Sequence, residues 1–138
     1  MTYGVLIDAG PLVAILNRRE QDHEACVRAL KKIERPLLST WIPVTEAMYL
    51  LQSSVDAQSA LLEMIERGFL KIFDIGTSDL PPIRALLKKY SDQPMDFADA
   101  TLVHVANREN VTEVFTLDRR DFGVYRLRQG KSFTVLPI

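Results

Sequence analysis

Cysteine occurs once, at Cys26, inside a helical pattern, where it reads as a small buried residue rather than a reactive thiol. Long apolar runs are missing, so no membrane span is expected. The N-terminus lacks a basic region, and Asp8 interrupts its short apolar run, which argues against a signal peptide and makes the cytoplasm the expected compartment. Histidine is scarce too: only His23 and His104 are present, both read as non-catalytic. There is no internal repeat, linker or low-complexity segment. Net charge is only −1, which neither suggests nor excludes a nucleic-acid partner. One local bias stands out, because Arg119, Arg120, Arg126, Arg128 and Lys131 are opposed by Asp121 alone. Such a strip can hold phosphates on a chain that is neutral as a whole.

What is present is an ordinary globular composition, 47% hydrophobic and 25% charged, in a length that suits one domain over residues 1–138. Short apolar runs at Val5–Ile7, Leu37–Thr40, Phe69–Ile75, Glu113–Leu117 and Phe133–Leu136 read as buried strands. Between them lie helical patterns. Pro11 suits the first position of one and Pro43 starts another. Asp22 and Asp56 suit two further starts, Gly68 one end, and Leu80, Ile83, Leu87 and Tyr90 recur at helical spacing. Strands alternating with helices predict an α/β domain with a mainly parallel sheet.

The chemistry is organised around Asp96-Phe-Ala-Asp99, which opens the apolar run Leu102, Val103, Val105 and Ala106. Carboxylates three residues apart at a helix start share one face of its first turn. Capping alone accounts for such acids when they are taken singly. Others fall in telling places, however. Asp8 ends the first strand, Asp118 follows the fourth, and Glu46 lies early in a helix. In open parallel sheets, ligands bind beyond the carboxyl ends of the strands. If these ends share one edge, five carboxylates meet and need a cation to stay ionised together. Oxygen donors without His or Cys favour Mg²⁺ or Mn²⁺. Arg119 and Arg120, just past Asp118, are candidates for phosphate contact.

The chain resembles a PIN domain, and within that group the VapC-type ribonuclease toxins of toxin–antitoxin pairs. The resemblance rests on Val5-Leu-Ile-Asp8 with Ala-Gly-Pro after it, Glu46 in Pro-Val-Thr-Glu-Ala, Met95-Asp-Phe-Ala-Asp99-Ala, and Phe115-Thr-Leu-Asp118-Arg-Arg-Asp-Phe122. It implies a five-stranded parallel sheet in the order 3-2-1-4-5, with Asp8, Glu46, Asp99 and Asp118 as catalytic acids and metal ligands. Asp96 is carried as an additional metal acid, and Thr116 as a supporting hydroxyl. It also implies a Mg²⁺- or Mn²⁺-dependent endoribonuclease leaving 5′-phosphates, a small antitoxin partner and a homodimer. The rival from another class is a catalytically silent PIN-like module that binds RNA or protein. A haloacid-dehalogenase-like phosphatase would need an Asp where Gly10 stands, and a receiver domain a lysine in the gap between Lys89 and Lys131.

Overall fold

The structure, a computed structural model, describes residues 3–137, so Met1, Thr2 and Ile138 of the expected 1–138 domain lie outside the described residues. Five short strands, β1 (Val5–Ile7), β2 (Leu37–Ser39), β3 (Leu70–Ile72), β4 (Glu113–Phe115) and β5 (Thr134–Leu136), form one sheet. Its order is β3-β2-β1-β4-β5, as expected, and every pairing is parallel. Helices α1 (Ala9–Leu16), α2 (His23–Lys32), α3 (Trp41–Leu50), α4 (Val55–Glu66), α5 (Leu80–Lys89), α6 (Phe97–Glu109) and α7 (Arg119–Val124) supply the crossovers and cover the sheet.

Coverage on both faces explains why β1 and β2 are apolar runs with every residue buried rather than alternating patterns. Because side chains alternate along a strand, Val5 and Ile7 join one core, with Leu12, Cys26, Val44, Leu61 and Phe115. Leu6 joins the other, with Leu38, Leu102, Val105, Phe122 and Tyr125. The edge strands are less enclosed, and Lys71 and Thr134 face solvent. Helix α6 is the most enclosed helix, buried from Ala98 to Ala106. Among the described residues no helix is long and apolar enough to cross a membrane.

Several boundaries differ from the sequence reading. Pro11 and Pro43 are third residues of α1 and α3 rather than first, which costs no bond because the first turn of a helix has no internal acceptors for its N–H groups. Ser54, not Asp56, caps α4, since its hydroxyl accepts from the Ala57 N–H at 3.1 Å. Asp22 stands at the cap position of α2 without a side-chain cap bond. Gly68 follows α4 at φ 81°, the left-handed conformation a helix end favours. Strand β1 has the expected bounds, and β2 to β5 are shorter than their apolar runs. Helix α7 has no counterpart in the sequence reading, which saw only a basic strip there; burial of Phe122 holds it down.

Candidate active site

The parallel sheet brings the ends of β1 and β4 side by side, and backbone bonds extend the ladder one step beyond them, Asp8 N–H to Phe115 carbonyl at 3.0 Å and Thr116 N–H to Leu136 carbonyl at 3.0 Å. Asp8 thereby becomes the N-cap of α1, its Oδ1 accepting from the Ala9 N–H at 2.8 Å. The buried Thr116 hydroxyl donates to Asp8 Oδ2 at 3.2 Å and accepts the Asp118 N–H at 3.0 Å. One hydroxyl therefore sets the spacing of two acids that follow neighbouring strands.

Helix α6 supplies the next two. Asp96 is its N-cap, as expected, with Oδ1 accepting from the Asp99 N–H at 2.8 Å. Asp99 points inward, only 7% exposed, and its Oδ2 accepts from the Tyr125 hydroxyl at 3.0 Å. Tyr125 is buried, edge-on to Tyr90 and Phe122 at 5.1 Å each. The fifth acid, Glu46, is on α3. That helix is braced to α6 by the buried Thr40–Thr101 hydroxyl pair at 3.0 Å.

Charge coupling links all five. Burial comes first in raising Asp8 to about 6, and the charges of Asp118 and Glu46 add to it, against hydrogen bonds from Ala9 and Thr116. Burial also leads for Asp99, raised to about 7 with help from Asp96 and Asp8 and against the Tyr125 bond. Glu46 is raised by burial, then by Asp96 and Asp118. Asp118 is raised by burial, then by Asp121 and Asp96. Two acids are thus buried at the floor, and Glu46, Asp96 and Asp118 are exposed at the rim. Among the described residues no three carboxylates, imidazoles or thiols are gathered closely enough to form a ready ligand set.

The arginines past Asp118 diverge. Both are exposed, but Arg119 turns its guanidinium to the carbonyls of Val135 and Pro137, tying α7 to β5. His104 faces Asp79, its Nε2 2.7 Å from Oδ1, and this bond leads in holding Asp79 down at about 2. The His23 ring nitrogen Nδ1 meets the Ala14 carbonyl at 2.6 Å. Sequence reasoning missed Tyr125, Thr40 and Thr101. The Asp99–Tyr125 contact spans 26 residues, so no local spacing announces it.

Five acids near a parallel switch point, two of them buried and all linked by like-charge coupling, can hold a hard cation and a phosphate beside it. The PIN domain family model matches residues 5–127. Ribonuclease VapC26 of Mycobacterium tuberculosis (strain ATCC 25618 / H37Rv) is 31% identical over 135 residues, 96% of this chain and all of that protein. Among solved structures, Mycobacterium tuberculosis VapC20, a sarcin-ricin loop cleaving toxin, superposes with a TM-score of 0.76 at 14% identity, covering 83% of this chain and 90% of its own. A toxin–antitoxin complex from Klebsiella pneumoniae gives 0.65 at 17% identity, with 96% of each chain covered. At such identities the superpositions speak for the fold alone.

Proposed function

Since the chain belongs to the PIN domain family, we propose that it is a divalent-metal-dependent endoribonuclease, the toxin of a toxin–antitoxin pair. The observation that carries this reading is the electrostatic linkage of Asp8, Glu46, Asp96, Asp99 and Asp118 at one sheet edge. Asp8, Asp99 and Asp118 are assigned as direct ligands, Glu46 as a ligand or the acceptor of a bound water, and Asp96 as an outer acid. The all-oxygen donor set fits Mg²⁺ or Mn²⁺. When bound, such an ion supplies the charge that polarises a scissile phosphate and acidifies an attacking water.

The chain's own groups do the positioning. Thr116 holds Asp8 and Asp118 in register, and Tyr125 donates to Asp99, favouring its ionised, ligating form. A small antitoxin that covers the acids and a second copy of the chain are the proposed partners. In the test, purified chain cuts RNA in Mn²⁺, leaves 5′-phosphate ends, and stops with chelator. Cutting that persists undiminished in chelator overturns the metal assignment, and no cutting under any condition leaves the binding-module reading.

Tyr125→Phe tests the second layer of this site. Losing one hydrogen bond to a charged group, worth about 1.5–3 kcal/mol, should lower turnover by roughly tenfold at neutral pH. Because that bond lowers the Asp99 pKa, its removal should also move the acid limb of the pH–rate profile upward. A uniform loss of rate with an unmoved limb would mean that Tyr125 serves only packing.

A further inference from the structure

Beyond the acid cleft, the basic strip acquires a direction. The chain after Asp118 follows α6 lengthwise. Tyr125 meets Asp99, the Arg126 N–H donates to the Tyr90 hydroxyl at 2.8 Å, and the Arg128 N–H donates to Asn107 Oδ1 at 2.9 Å. Asp99 and Asn107 are eight residues apart on the helix, about 12 Å along its axis. Arg126 spends its guanidinium on the carbonyls of Gly123, Val124 and Tyr125. Arg128 and Lys131 are exposed, and among the described residues neither is in an ion pair.

A tight loop presents these two cations. Gln129 and Gly130 both have positive φ, 65° and 74°, and the Leu127 N–H closes on the Lys131 carbonyl at 2.8 Å. A left-handed glutamine costs energy that surrounding structure must sustain, as at many ligand-holding loops. A cavity of about 430 Å³ opens beside the loop, with Asn107, Asn110, Arg128 and Lys131 on its polar side. Across Arg128 lies a second cavity of about 230 Å³, bordered by Lys89, His104 and Asn107. Among the described residues no carboxylate lines either one. The carbonyl end of α6 opens on the larger cavity, but its dipole amounts to roughly half a negative charge, which two full cations outweigh.

From this geometry we propose that Arg128 and Lys131, with Lys89 beside them, form an anchor for the phosphate backbone of single-stranded RNA, remote from the cleavage site and reached along α6. The inference rests on the ribonuclease reading and extends its substrate contacts to a second place. An extended polyanion fits better than a small anion, because the two cavities flank one arginine and so offer cations at successive places.

The test uses the full chain and its Arg128→Gln/Lys131→Gln double variant, with melting curves confirming equal folding. Binding of a labelled mixed-sequence single-stranded RNA of roughly twenty nucleotides is measured in chelator over a salt series. Losing two phosphate contacts should flatten the slope of log affinity against log salt by about 1.4. With Mn²⁺ restored, KM for that RNA should rise several-fold at unchanged kcat, while cleavage of a dinucleotide, whose single phosphodiester at the acids leaves nothing to cross the roughly 12 Å to the loop, stays as in wild type. An unchanged slope in a wild type that cuts RNA overturns the anchor alone. A wild type that neither binds nor cuts RNA overturns the ribonuclease reading with it.

Discussion

Asp99→Asn will cut RNA cleavage by about a hundred- to a thousandfold, the scale of a lost electrostatic centre, while the protein stays folded. The amide keeps the size of the carboxylate and can still accept from the Tyr125 hydroxyl. Asp96 remains the cap of α6 in that variant, so the helix start is not at risk. What disappears is one of two buried negative charges facing the rim acids. Asp96→Asn should be milder, because an exposed asparagine caps nearly as well and the floor charges survive. Rates of RNA cutting at saturating Mn²⁺, alongside melting curves, decide between them. Near-normal turnover in folded Asp99→Asn would remove Asp99 from the site, and a dead Asp96→Asn beside an active Asp99→Asn would reverse the two roles.

The second large effect is on stability. In metal-free protein Asp8 and Asp99 hold their protons to about pH 6 and about pH 7, whereas in the unfolded chain they lose them near pH 4. The native state thus binds more protons than the unfolded state across that window, so stability falls as pH rises from about 4 to about 7 and is level above it. Asp8 alone, raised by about two units, accounts for roughly 3 kcal/mol, several degrees in Tm for a domain of this size. Asp79 works in the opposite sense: held at about 2, it gives stability that is lost as pH drops below 4. Metal-free Tm should therefore be highest between about pH 4 and 5. Asp8→Asn should raise Tm at neutral pH and flatten its decline. A Tm that climbs steadily from pH 5 to 7 would mean that the floor acids are not strained by burial and repulsion.

Much of this architecture was legible because it is local. Apolar triplets such as Val5–Ile7 and Leu37–Ser39 announce buried parallel strands, and Asp96 three residues before Asp99 announces a helix start. The positions of Asp8 and Asp118 just past their strands were legible for the same reason. Long-range contacts were not. Tyr125 reaches Asp99 only because a six-residue helix, too short for a periodic signal, turns the chain back along α6. Arg119 reads as a phosphate candidate from its place beside Asp118, and its bonding to Val135 and Pro137 depends on β5 lying next to β4. Caps such as Ser54 were obscured by a neighbouring acid, since Asp56 is an equally good capping residue by type.

The most direct measurement of the central claim, that these acids form one cation site, is a set of four melting curves at neutral pH: wild type and Asp8→Asn, each in chelator and in saturating Mn²⁺. An ion that binds the folded cleft and not the unfolded chain stabilises by mass action, about 2.7 kcal/mol at a hundredfold excess over its Kd. The account predicts a rise of several degrees for wild type on adding Mn²⁺, and for Asp8→Asn a higher metal-free Tm with a much smaller response. No ion-dependent shift in wild type, or an equal shift in the variant, would contradict it.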